Sequence, residues 1–137
     1  MILCDAGVML CLVDRKQSQH LAYRGLVLRL NKPLTTTWCC LTEAMYLAYK
    51  RGGWVAQKQL GQMLLNNDLL IYEVKQHDSV RILELMERFQ DRPMDLADAT
   101  LVLAAENLGY RQILTTDSDF LFYRIHNTDS FDVINPL

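Results

Sequence analysis

The chain has no C-x-x-C pair, no clustered histidines and no apolar run near the roughly 18 residues a membrane-crossing helix needs. Each absence removes a class. Zinc sites need cysteine and histidine at short fixed spacings. Here Cys39 and Cys40 are adjacent, Cys4 and Cys11 stand apart, and His20, His77 and His126 are scattered. The same spacings give no disulfide framework. All four thiols have apolar neighbours and are expected to be buried, and the histidines are expected at the surface or at caps. Lysine is missing after Lys75, so the late lysine that a phospho-acceptor receiver domain needs is not there. A large excess of either charge is also missing. The net charge is −2, which does not announce a nucleic-acid binder. It leaves open an enzyme whose carboxylates hold cations and meet phosphate through them. The start, Met1-Ile2-Leu3-Cys4-Asp5, lacks the basic leader of a signal peptide, so a cytoplasmic location is expected. No repeat, low-complexity tract or linker interrupts the chain, and 1–137 reads as one domain.

What is present is a regular alternation. Half of the residues are apolar, enough for a real core. Short apolar runs at Met1 to Cys4, Leu34 to Thr37, Leu69 to Tyr72 and Gln112 to Thr115 read as strands, the third of them buried. Phe131 to Ile134 reads as a further strand. Between them, helical spacing covers Val8 to Val13, Gln19 to Leu30, Leu41 to Tyr49, Val55 to Leu65, Asp78 to Phe89 and Asp95 to Leu108. Asn31-Lys32-Pro33, Arg51-Gly52-Gly53, Asp91-Arg92-Pro93 and Gly109 are the breakers. Strands alternating with helices predict an α/β fold with a parallel sheet and right-handed crossovers.

The acids fall at particular points of this plan. Asp5 follows the first strand. Glu43 lies in the first turn of the helix after the second. Asp95 and Asp98 open the helix before the fourth strand, three residues apart and so on one helix face. Asp98 also aligns with Leu101 and Val102, at the edge of the stripe that should be buried. Asp117 follows the fourth strand. Each acid alone has a plainer role as an N-cap, first-turn or turn residue. Together they sit where strand ends and helix starts meet, the edge at which open α/β sheets bind ligands. Carboxylates crowded there must take up protons or a cation. An all-oxygen set favours a hard ion such as magnesium or manganese. Such a site suits phosphodiester hydrolysis. Asp119, Asp129 and Asp132 read as turn or surface acids.

The chain resembles the PIN domain family, in particular the VapC-type ribonuclease toxins. The resemblance is carried by Met1-Ile2-Leu3-Cys4-Asp5-Ala6-Gly7, by Leu34-Thr35-Thr36-Thr37-Trp38 with Leu41-Thr42-Glu43-Ala44, by Pro93-Met94-Asp95-Leu96-Ala97-Asp98-Ala99, and by Ile113-Leu114-Thr115-Thr116-Asp117-Ser118-Asp119-Phe120. It implies a three-layer α/β/α sandwich around a parallel sheet of about five strands. It also implies a metal-dependent endoribonuclease using Mg2+ or Mn2+. Carried over by position, Asp5, Glu43, Asp98 and Asp117 form the acidic quartet, with Asp5 and Asp98 the principal ligands. Asp95 is an auxiliary acid, and Thr116 places a hydroxyl near the metal water. Ala6 departs from the pattern, since relatives often carry a hydroxyl there. The resemblance further implies a type II toxin paired with a small antitoxin lying in a groove, and a homodimer. Tyr46, Tyr49 and Trp54 are candidates for such a surface, although core or half-buried positions are the plainer expectation. Lys50, Arg51 and Arg15 are candidates for meeting RNA phosphates. The competing expectation is a catalytically silent module of the same fold that binds RNA or a protein.

Overall fold

A computed structural model describes residues 1–136. In chain order its elements are β1 (Ile2–Cys4), α1 (Ala6–Val13), α2 (His20–Leu30), β2 (Leu34–Thr37), α3 (Trp38–Leu65), β3 (Leu69–Tyr72), α4 (Ser79–Arg88), α5 (Leu96–Leu108), β4 (Gln112–Leu114), β5 (Arg124–Ile125), β6 (Asp129–Ser130) and β7 (Asp132–Val133). Five strands form one parallel sheet in the order β3-β2-β1-β4-β7. Helices flank it, as expected of an α/β/α sandwich.

Strand β1 lies at the centre, buried at all three residues, with Leu3 paired to Thr35 on one side and Ile113 on the other. The chain winds outward through β2 and β3, then crosses back to β4 on the other flank of β1. Strand order therefore reverses between β1 and β4, which opens a crevice at their carboxyl ends. Helix α5 makes this crossover. Every residue from Asp98 to Ala105 is buried, because the helix is covered on several sides. Its run of Ala99, Ala104 and Ala105 suits close packing. Gly109, at φ 73°, ends it in the left-handed conformation that glycine adopts without strain. The Arg81 guanidinium clamps Glu106 with two bonds of 2.8–2.9 Å and fixes α4 on α5.

The two helices expected either side of Arg51-Gly52-Gly53 are present within α3, joined across a kink at Gly53, the one residue there to leave helical geometry, at φ 63° and ψ −154°. Several other expectations need correction. Helix α3 starts earlier than expected. Thr37 caps it through Oγ1, which accepts from the Cys40 N–H. Glu43 thus lies in the second turn, not the first. Strand β3 is an edge strand with only Leu69 fully buried, because no strand covers its far side. His20 is buried rather than superficial. Its Nδ1 lies 2.6 Å from the Cys11 carbonyl oxygen, tying α2 to α1. Cys39 is only half-buried, whereas Cys4, Cys11 and Cys40 are buried and all four are free thiols. Tyr46, Tyr49 and Trp54 are 60–66% exposed, not core or half-buried, since they project from the outer face of α3. The antiparallel pair β5–β6 had no counterpart in the sequence pattern. No described helix is long and apolar enough to cross a membrane.

Candidate metal centre

The crevice beside β1 and β4 receives one acid from each of three elements. Asp5 leaves β1 and caps α1, its Oδ1 accepting from the Ala6 N–H at 2.7 Å. Asp98 projects from the first turn of α5. Asp117 follows β4 and starts a tight turn, its Oδ1 accepting from the Asp119 N–H at 2.9 Å. One carboxylate oxygen from each of Asp5, Asp98 and Asp117 lies within 4.8 Å of the others. Oxygens sharing one divalent ion at roughly 2.0–2.6 Å can be at most about 4–5 Å apart, so the triad fits an ion.

Neighbouring groups hold these acids in place. The Thr115 hydroxyl donates to Asp5 Oδ2 at 2.9 Å and accepts from the Asp117 N–H at 3.0 Å. One side chain thus joins two of the three acids. The buried Tyr123 hydroxyl points at Asp98 Oδ2 at 3.3 Å, and its ring packs edge-on against Phe120 and Phe89. Thr37 and Thr100 share a 2.7 Å hydroxyl contact that seats α5 on the end of β2.

The electrostatics follow from crowding. Burial, and then the charges of Asp95, Asp5 and Asp117, push the Asp98 carboxyl up to about 7. Burial also raises Asp5, against the Ala6 N–H and Thr115 bonds that favour its charged form. Glu43 is raised by partial burial and then by Asp5, Asp95 and Asp117. These groups are poised to exchange protons for a cation.

The five acids singled out in the sequence therefore divide. Asp5, Asp98 and Asp117 converge. Glu43 is exposed on α3, outside the triad, although its field reaches the site. Asp95 is exposed and its Oδ1 is occupied in capping α5, accepting from the Asp98 N–H at 2.8 Å. Thr115 brings a hydroxyl to the acids that the sequence reading did not single out, while the hydroxyl of the exposed Thr116 lies over Gly7, two residues after Asp5. Thr115 still belongs to the buried end of the strand run, whereas the chain turns outward at Thr116. Tyr123 was missed because it looked like core. Only its hydroxyl, twenty-five residues from Asp98 in sequence, reveals the role.

Comparison with known proteins agrees with this picture. A family model described as PIN domain matches residues 2–126. No curated protein sequence matches the chain. Among solved structures, the chain is similar to the crystal structure of Mycobacterium tuberculosis VapC20, described as a sarcin–ricin-loop cleaving toxin. The TM-score is 0.79 at 18% identity, over 87% of this chain and 92% of that one.

Proposed function

Because this chain belongs to the PIN domain family, we propose that it is a metal-dependent endoribonuclease, its 137 residues forming one catalytic domain. The observation that carries the reading is the convergence of Asp5, Asp98 and Asp117 within 4.8 Å. These three would hold Mg2+ or Mn2+, since the donors are all hard carboxylate oxygens. When bound, the ion supplies charge neutralisation at a phosphate and a more acidic water. Thr115 keeps Asp5 and Asp117 in register, and Tyr123 donates to Asp98 and so favours its ionised form. Glu43 and Asp95 complete the acidic rim, where Glu43 is free to accept a proton from solvent.

Asp98→Asn and Asp5→Asn are each expected to lower RNA cleavage by on the order of 100-fold or more, with folding retained. EDTA is expected to abolish it. Cleavage that survives EDTA overturns the reading. A folded chain that binds neither ion by calorimetry supports the silent binding module instead.

The likeness to VapC20 supports a toxin role and pairing with a small antitoxin. A groove of about 590 Å³ between α1, α2 and α3 offers such a partner a mixed lining, apolar at Leu12, Val27, Leu28 and Met63, basic at Arg15, Arg24 and Lys32, and acidic at Asp68. Copurification with the product of an adjacent small reading frame tests this.

A further inference from the structure

The nuclease reading leaves a charge problem. Five carboxylates surround the point where an anionic RNA strand would have to lie, so the strand needs a cation at the rim. The cations suggested by the sequence stand elsewhere, Arg15 directly after Asp14 where α1 ends. The charge of Arg51 acts on Asp14, at the far end of α1 from Asp5. Lys50 lies over the Tyr46 ring on the outer face of α3, about two turns beyond Glu43.

Arg92 is placed differently. It lies in the loop before α5, three residues ahead of Asp95. Its guanidinium carbon stands 3.3 Å from the centre of the Phe122 ring, a cation–π contact. Its Nη1 lies 3.4 Å from Asp119 Oδ1. Asp119 in turn donates its N–H to Asp117. The Arg92 carbonyl oxygen lies 3.4 Å from the Tyr123 hydroxyl, the same hydroxyl that reaches Asp98. Backbone and side chain of Arg92 are thus each one residue removed from a member of the acidic triad. The long contact to Asp119 engages only one guanidinium nitrogen, and the side chain remains 44% exposed. Its other N–H groups meet no acceptor in the protein among the described residues. A surface ion pair of this length contributes little to stability. What the arrangement does provide is a planar donor fork, fixed in advance and open to solvent beside the acids.

We propose that Arg92, stacked on Phe122, anchors a phosphate of the RNA strand next to the acidic triad. The proposal rests on the nuclease reading. Arg92 is a binding and positioning residue: it sets where the strand lies relative to Asp5, Asp98 and Asp117.

The test uses the full chain carrying Asp98→Asn, titrated with a short labelled single-stranded oligoribonucleotide at several salt concentrations. Adding Arg92→Met is expected to weaken binding roughly tenfold and to lower the slope of log K against log salt by about 0.7, the loss of one phosphate contact. Arg92→Lys keeps the charge and should keep the slope while losing part of the affinity. In the otherwise unaltered enzyme, Arg92→Met should raise KM and leave kcat within about threefold. Phe122→Leu should fall between parent and Arg92→Met, because the fork loses its platform. Since Arg92 and Phe122 are exposed, all variants should melt with the parent. An Arg92→Met chain with the parent's affinity and salt slope overturns the anchor and leaves the nuclease reading standing. A parent that neither binds nor cuts RNA overturns both.

Discussion

At the scale of single residues, the acids explain why the proposed site would favour a cation. The Asp98 carboxyl, pushed up to about 7 by burial first and by its acidic neighbours second, sits well above the roughly 3.9 of an unfolded aspartate. Between about pH 4 and 7 the folded chain therefore holds a proton that the unfolded chain has released. Stability from this group is full below pH 4 and is lost as pH rises through 7. Asp5 and Glu43 shift in the same direction. Asp14 and Glu106 are lowered, so their contributions are lost only on acidification below about pH 4.5 and stay constant above about pH 5.5. The metal-free chain is thus expected to melt at lower temperature at pH 8 than at pH 5.5. Mg2+ or Mn2+ should raise the melting temperature more at pH 8, where protons no longer compete. Equal metal effects at both pH values would contradict the carboxylate site. Residue-level legibility was uneven. Asp5, Asp98 and Asp117 were readable because strand ends and helix starts share one edge. The part played by Thr115 was not, since its hydroxyl meets Asp5 only across 110 residues of sequence.

At the scale of elements, local rules did well wherever a cap or breaker was explicit. Asn31 and Gly109 end α2 and α5 in left-handed geometry, and Asp95 caps α5 through its side chain. They also placed the break at Arg51-Gly52-Gly53, though of its two glycines Gly52 stays helical, with room for less than a methyl beside Ala56. Gly53 alone absorbs the kink, at a φ and ψ that are essentially restricted to glycine. Gly53→Ala is expected to destabilise the chain by about 1–3 kcal/mol. Denaturant unfolding measures this, and an unchanged midpoint would mean that the kink relaxes into a straight helix at no cost. The β5–β6 pair was invisible in the sequence because two-residue strands carry no periodicity. It is held instead by the turn at His126 and Asn127, both at positive φ, and by Glu106 accepting from the His126 N–H at 2.7 Å.

At the scale of the whole molecule, the order β3-β2-β1-β4-β7 decides where chemistry can occur. Reversal between β1 and β4 places Asp5 and Asp117 side by side, and the α5 crossover brings Asp98 over them. A second consequence concerns the opposite kind of surface. Trp38, Tyr46 and Tyr49 lie exposed on α3 before its kink, and Trp54 and Val55 lie exposed just after it. Large exposed aromatic groups are typical of an interface. The homodimer expected from the family resemblance would find its contact here. Tyr49→Glu combined with Trp54→Glu should shift the chain from dimer to monomer in light scattering, with its circular dichroism unchanged. A parent that is already monomeric at high concentration removes this assignment.

The alternation of strands and helices, the parallel sheet and the three acids that meet were legible in the chain, because apolar periodicity, caps and strand-end acids are local signals. Folding alone sets Glu43 and Asp95 outside the triad, puts Thr115 and Tyr123 against it, and brings Arg92 near it. Those facts depend on contacts between residues far apart in the chain. Their distances are set by how α3, α5 and the loop after β4 pack on the sheet, and no local pattern encodes that packing.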